Sequence, residues 1–199
     1  MPTLPLYQVD AFTDRPFAGN PAAVCPLSAP IPEALMQDIA AENNLSETAF
    51  FHPILPILPT SPQGDAFSLR WFTPTTEVDL CGHATLASAF VLITELEPAR
   101  TDVTFRTRSG PLGVQRRGDE LVLDFPAYPA APVDAATCAR VAEALGARPV
   151  EVVGGRSFFA VFETAAAVRA LAPDFRALAG DRVHIGGKGR LVIKGTLTY

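Results

Sequence analysis

The sequence predicts an α+β fold: a mixed, largely antiparallel sheet wrapped around a central apolar helix, followed by an incomplete second half. Three observations predict it. Between Gly82 and Leu96, the residues Ala84, Leu86, Ala87, Ala89, Phe90, Val91, Leu92 and Ile93 cover every face of a helix, and a helix apolar all round must be buried all round. Short alternating segments rich in strand formers precede and follow it, separated by glycine and proline turns. No segment in the last third matches that helix, so the second half looks under-filled.

The elements follow in order. Leu6–Phe12 alternates and reads as a first strand. Thr13–Gly19, with Pro16, is a loop, and Ala22–Cys25 a short second strand. Pro32–Asn43 has helical spacing: Leu35, Ile39 and Ala40 share a face, and Pro32 stands near the start, where its missing N–H is harmless. Thr48–His52 is a third strand, the four prolines of 53–64 make a loop, and Phe67–Phe72 alternates again. After the apolar helix, Val103–Thr107, Leu112–Gln115 and Leu121–Phe125 are joined by Ser109-Gly110 and Gly118-Asp119, the pattern of an antiparallel meander.

Pro126–Pro132 is rich in proline and alanine and reads as a linker. It divides the chain into a sheet-around-helix domain, residues 1–126, and a shortened C-terminal domain, residues 127–199. The second domain starts with a helix at Asp134–Leu145, with Asp134 as N-cap and Gly146 as the stop. Val150–Phe162 reads as two strands around Gly154-Gly155, and Ala165–Leu171 as a short helix. Arg182–Ile185 and Arg190–Lys194 flank Gly186-Gly187-Lys188-Gly189 as a hairpin.

Composition narrows the function. With 48% hydrophobic and 19% charged residues, the chain fits a folded globular protein. A net charge of -5 without any long basic run argues against nucleic acid and anionic membranes as partners. No apolar stretch reaches the roughly 20 residues that span a bilayer, and Met1–Pro5 lacks the basic start of a signal peptide. Cys25, Cys81 and Cys138 are far apart, with no C-x-x-C pair, which fits a reducing compartment. A cytoplasmic location is expected. His52, His83 and His184 are scattered, so no metal site is expected from spacing. The run 186–189 lacks the Ser/Thr and helix of a phosphate loop, and nothing resembles a dinucleotide fingerprint.

Two segments carry the chemistry. Asp79–Thr85 enters the buried helix through Gly82. Free N–H groups at a helix start, with the dipole, favour an anion such as a substrate carboxylate, and Gly82 lets a ligand approach the backbone closely. His83, in the first turn, could move a proton or orient a substrate. The alternative is that Gly82 breaks the strand and His83 caps it. In Asn43–Phe50, Glu47 precedes an apolar run, and a carboxyl at the mouth of a core can have a raised pKa. The competing reading is a solvated glutamate in a turn. Asn20, in Gly19-Asn20-Pro21, could hydrogen-bond a substrate or simply accept a left-handed turn. Cys81 could be a thiol acid/base or an inert buried cysteine.

Taken in order, four motifs resemble the PhzF-like phenazine-biosynthesis isomerases. They are Asp10-Ala11-Phe12, Phe17–Val24, Glu42–Phe50 and Arg70–Thr85. Gly180–Gly187 also resembles the end of these proteins. The resemblance implies a diaminopimelate epimerase-like fold, in which two similar halves each wrap a sheet around a central helix and the site lies in the cleft between them. It implies no cofactor and a small carboxylated substrate. It assigns Glu47 as the proton-shuttling acid/base, with His83 and Gly82 at the substrate. Cys81 is similar in placement to a catalytic cysteine of the related epimerases.

The chain departs from the family in its second half. There the family carries a motif resembling Glu-Asp-Pro-Val-Thr-Gly-Ser-Ala-His and a second central helix, whereas this chain passes from Ala172–Phe175 almost directly to Gly180-Asp181-Arg182. An internal deletion is the simplest account. The second domain is then expected to be loose, or to bury its sheet in another chain such as a second copy in a homodimer. The leading expectation is a cofactor-independent isomerase or epimerase using Glu47. The alternatives are an inactive truncated remnant that binds without turnover, and a thiol-dependent epimerase using Cys81.

Overall fold

The structure is a computed structural model of the chain. It describes residues 3–54, 66–127, 129–155, 157–174 and, as backbone, 190–198. The elements are β1 (Thr3–Ala11), β2 (Asn20–Pro26), α1 (Glu33–Asn43), β3 (Glu47–Pro53), β4 (Ala66–Phe72), β5 (Glu77–Val78), α2 (Gly82–Phe90), β6 (Asp102–Thr107), β7 (Gly110–Arg117) and β8 (Glu120–Asp124). They continue with β9 (Ala131–Pro132), α3 (Ala135–Leu145), β10 (Glu151–Gly154), β11 (Phe158–Val161), α4 (Ala165–Arg169) and β12 (Arg190–Thr198). The chain forms two units, Met1–Phe125 with Gly186–Tyr199, and Pro126–Ile185.

In the first unit one mixed sheet runs β12-β1-β2-β3-β4-β6-β7-β8, with β5 paired to β4. The β2–β3 and β4–β6 pairs are parallel and the other pairs antiparallel. The meander read between residues 103 and 125 is β6-β7-β8, and its turns use Gly110 and Gly118 at positive φ. The hairpin expected for Arg182–Ile185 and Arg190–Lys194 falls partly outside the described residues, and its second strand lies in β12. That strand pairs with β1, from Thr3↔Thr198 to Asp10↔Arg190.

Alternation explains the core. Ala49 and Phe51 of β3, with Phe67, Leu69 and Trp71 of β4 and Ala22 and Val24 of β2, pack with Ala84, Ala87 and Ala89 of α2. The intervening residues Phe50 and Phe72, with Cys25, pack with Met36, Ile39 and Ala40 of α1. The sheet is thus buried on both faces in this region, which is why Thr48–Phe51 reads as a continuous buried run. His83 to Ala89 are all buried, as an all-apolar helix requires, and α2 contacts β1, β2, β3 and β8. The helix read as Gly82–Leu96 changes pitch at Val91, continuing as a wider π-type turn to Leu96, where Arg116 Nη2 donates to the Ile93 carbonyl at 3.0 Å.

In the second unit, β11-β10-β9 form a three-stranded antiparallel sheet. The linker reading of Pro126–Pro132 misses β9, because Ala131-Pro132 pairs with Val153 and Gly154. Asp134 caps α3 by accepting from the Thr137 N–H at 2.7 Å, and Gly146 ends it in the left-handed region. Among described residues 126–174 the buried apolar side chains are Val141, Ala144 and Val152, and no helix is buried all round. Among the described residues no helix is long and apolar enough to cross a membrane.

Candidate functional site

Glu47 opens β3, and period 2 places it on the face that carries Ala49 and Phe51, toward α2. Its parallel partner in β2 is Ala22. Asn20, two residues earlier, falls on the same face as Ala22 and Val24. Gly19 before it has no alternative: an added Cβ would run into the Ala11 carbonyl and stand 2.6 Å from Thr13 Cγ2.

The partner of Glu47 comes from the start of α2. β5 leads into an extended Cys81, which opens the helix at Gly82. Glu77 of β5 is nearly buried, and its carboxylate accepts from Arg70 Nε at 2.7 Å and Nη2 at 2.6 Å, with Arg108 Nη2 at 2.7 Å. These ion pairs tie the approach to α2 onto β4. An added Cβ at Gly82 would meet only Phe125 Cε2, at 3.7 Å, an ordinary contact. Packing within the protein therefore does not demand glycine there.

Glu47, Cys81 and His83 converge. His83 Nε2 stands 3.0 Å from Glu47 Oε2 and 3.2 Å from Ser46 Oγ, and His83 Nδ1 stands 3.4 Å from Cys81 Sγ. Ser46 Oγ donates to the Pro21 carbonyl at 3.2 Å, so its lone pairs are what it offers Nε2. In the neutral ring this network assigns the hydrogen to Nε2 and leaves Nδ1 to accept from the Cys81 thiol. Glu47 Oε2 is buried, and no donor is aligned on it despite the short separation from Nε2. Nε2 thus stands close to the Glu47 carboxylate, while its hydrogen-bond geometry is met by Ser46.

The electrostatics correct one expectation. Burial raises the Glu47 pKa, as expected for a carboxyl at the mouth of a core, but its polar neighbours, His83 first and then Ser46 and Cys81, together outweigh burial. The carboxyl ends below its ordinary value, not above it. Burial, followed by the Glu47 charge, pushes the Cys81 thiol well above its ordinary range, against the pull of the Ala84 and His83 N–H groups. The cysteine is held as a thiol, which disfavours its use as a nucleophile or base.

The expected residues thus come together in part. Glu47 and His83 meet, Gly82 is the chain neighbour of His83, and Asn20 shares the face of β2 that packs toward α2. Sequence reasoning misses Ser46 as a contact of His83; it sits before the strand, where alternation gives no signal. Histidine spacing also gives no sign that one histidine, one cysteine and one glutamate offer ligand atoms within 4.8 Å of one another. His52 lies near the far end of β3 with Nδ1 3.0 Å from the Pro53 carbonyl, away from this cluster. His184 and the run 186–189 fall outside the described residues.

Known proteins share this arrangement of elements. A family model described as phenazine biosynthesis-like protein matches residues 9–194. An uncharacterized isomerase of Pseudomonas aeruginosa is 50% identical over 177 residues, which is 89% of this chain and 64% of that protein. The human phenazine biosynthesis-like domain-containing protein is 52% identical over 131 residues, covering 66% of this chain and 45% of that protein. A crystal structure of a PhzF family protein from Enterococcus faecalis matches with a TM-score of 0.77 at 42% identity, over 92% of this chain and 66% of that one. A predicted epimerase from Pseudomonas aeruginosa matches with a TM-score of 0.65 at 26% identity, over 85% and 63%. The fold class expected from sequence, α+β and diaminopimelate epimerase-like, is that of these structures. The chain spans less than two thirds of the length of these curated relatives.

Proposed function

The chain belongs to the phenazine biosynthesis-like (PhzF) family of isomerases and epimerases, and from that premise we propose that Glu47 moves a proton between carbons of a small carboxylated metabolite. The observation that carries this reading is the placement of Glu47: a partly buried carboxylate 3.0 Å from His83 Nε2, with a buried oxygen on which no donor is aligned. A depressed pKa keeps that carboxylate ionised at neutral pH, ready to act as the base in the first step.

The reaction then runs through side chains alone. Glu47 takes a proton from carbon, and the electron pair left behind spreads toward the substrate's carboxylate. The first N–H groups of α2 lack partners within the helix and favour that negative charge. Gly82 leaves room at this helix start for the substrate to approach. His83 and Asn20 hold polar groups of the substrate. Glu47, now protonated, returns the proton at a second carbon, so the overall change is an isomerisation.

A panel of small unsaturated or hydroxylated carboxylic acids, incubated with the folded chain in deuterated water, tests this. At least one should gain deuterium on carbon. A well-folded sample that exchanges none of them counts against the proposal. The rival reading, a protein that binds such an acid without turning it over, is motivated by the absence from the sequence of the Glu-Asp-Pro-Val-Thr-Gly-Ser-Ala-His-like motif. It predicts saturable binding with no deuterium gained.

A further inference from the structure

We propose that Cys81, His83 and Glu47 form a binding site for one zinc-class divalent cation, and that occupancy of the site silences the Glu47 base. The second half of this statement rests on the function proposed above; the first does not.

The donor set comes first. Cys81 Sγ, a ring nitrogen of His83 and a Glu47 carboxylate oxygen all lie within 4.8 Å of one another. Tetrahedral zinc holds sulfur at about 2.3 Å and nitrogen at about 2.1 Å, which sets those two atoms about 3.6 Å apart. Cys81 Sγ and His83 Nδ1 are 3.4 Å apart, already at that spacing. They share a hydrogen bond, and a metal bound to both would sit beside the line that joins them. Its entry replaces the thiol proton, which leaves to water, and forms a sulfur–metal bond with no change of oxidation state. Glu47 Oε2 now lies 3.0 Å from the other ring nitrogen, Nε2, so the carboxylate has to swing toward the Nδ1 side to reach the same centre.

Charge and surroundings fit as well. A thiolate and a carboxylate carry two negative charges and the imidazole none, so a dication is balanced inside a poorly solvated site. Cys81 and His83 are 5% and 6% exposed. A mixed thiolate, imidazole and carboxylate set suits zinc over magnesium or calcium, which prefer oxygen alone. Histidines that bind metal commonly donate their other N–H to a fixed acceptor. His83 Nε2 has that acceptor in Ser46 Oγ at 3.2 Å, itself anchored on the Pro21 carbonyl. Three protein donors leave a fourth position on the part-exposed side of Glu47 for water. In this state the carboxylate lone pair that would accept a substrate proton is bound to metal, so proton transfer stops.

Titrating the intact chain with Co²⁺, as a spectroscopic substitute for Zn²⁺, tests the site. The expected result is thiolate-to-cobalt absorption that saturates at one equivalent and is bleached by Zn²⁺. The band is lost in Cys81→Ser and kept in a Cys25→Ala/Cys138→Ala double variant. Ser46→Ala retains all three donors and binds about 10- to 100-fold more weakly. A folded wild-type chain with no thiolate band overturns the site. So does a band that survives Cys81→Ser or vanishes in the double variant. Where Cys81→Ser does not fold, the wild-type and double-variant spectra still decide. For the silencing, saturating Zn²⁺ should lower deuterium exchange at least 10-fold, with recovery on adding a chelator; an unchanged rate overturns it. A chain without any exchange activity defeats the function proposed above and leaves the spectroscopic test of the site intact.

Discussion

Two glycines that look alike in sequence do different work. At Gly19 the backbone of Ala11 and the Thr13 side chain occupy the space of a Cβ, so Gly19→Ala should destabilise the fold by about 1–3 kcal/mol, as overpacking does. At Gly82 that space is open apart from an ordinary contact with Phe125. Gly82→Ala should therefore change stability by less than about 1 kcal/mol while lowering deuterium exchange. Denaturant unfolding and the exchange assay together separate a packing glycine from a substrate-facing one. Glu47 makes a prediction of its own. Its pKa is depressed in the folded chain, so the stabilisation it provides is complete above the ordinary carboxylate value of 4.5 and is lost as pH falls through the lower folded value. Carbon-13 NMR of the side-chain carboxyl should show a midpoint below 4.5. The midpoint should move up in His83→Ala, because His83 does more than any other neighbour to hold it down against burial.

At the scale of elements, the site exists because β3 alternates. Glu47, Ala49 and Phe51 face α2, and Phe50 faces α1, so the strand that fills both cores also delivers the carboxylate to the start of the buried helix. Leu92 of the π-type turn is 1% exposed and part of the same core. Leu92→Ala should cost about 2–5 kcal/mol by the usual scale for a large-to-small core change, measured by chemical denaturation. Much of this was legible in sequence. The all-apolar run could only be a buried helix, and the alternation of 67–72 and the glycine turns at 110 and 118 gave the strands around it. Two kinds of feature were not legible. β5 and β9 are two residues each, too short for any period to register, and they exist only because β4 and β10 offer edges to pair with. The depressed pKa of Glu47 depends on His83, 36 positions further along the chain, and no local pattern around Glu47 announces that neighbour.

At the scale of the whole molecule the two units differ in what holds them. The first has two apolar cores filled by aromatic and branched side chains. The described part of the second buries Val141, Ala144 and Val152, while Val150, Phe159, Val161 and Val168 stay exposed. Local stability follows buried apolar contact, so amides of Glu151–Gly154 and Phe158–Val161 should exchange with solvent before those of Glu47–Pro53 and Ala66–Phe72. Equal protection in both sets would show that the second unit gains its stability from something other than its own described core. An under-filled second half is what the absence of a second apolar helix in the sequence predicts. The return of β12 to pair with β1 does not follow from sequence, since strand partners so far apart leave no mark on either segment. The central claim joins all three scales: a strand, a helix start and one carboxylate make a proton-transfer site. The most direct measurement is solvent deuterium uptake into a carboxylic acid that the folded wild-type chain exchanges, repeated with Glu47→Gln. Removing an acid/base group of this kind costs about 10²- to 10⁴-fold, so the account predicts a loss of that size with the fold intact. A Glu47→Gln variant that exchanges at the wild-type rate would contradict it.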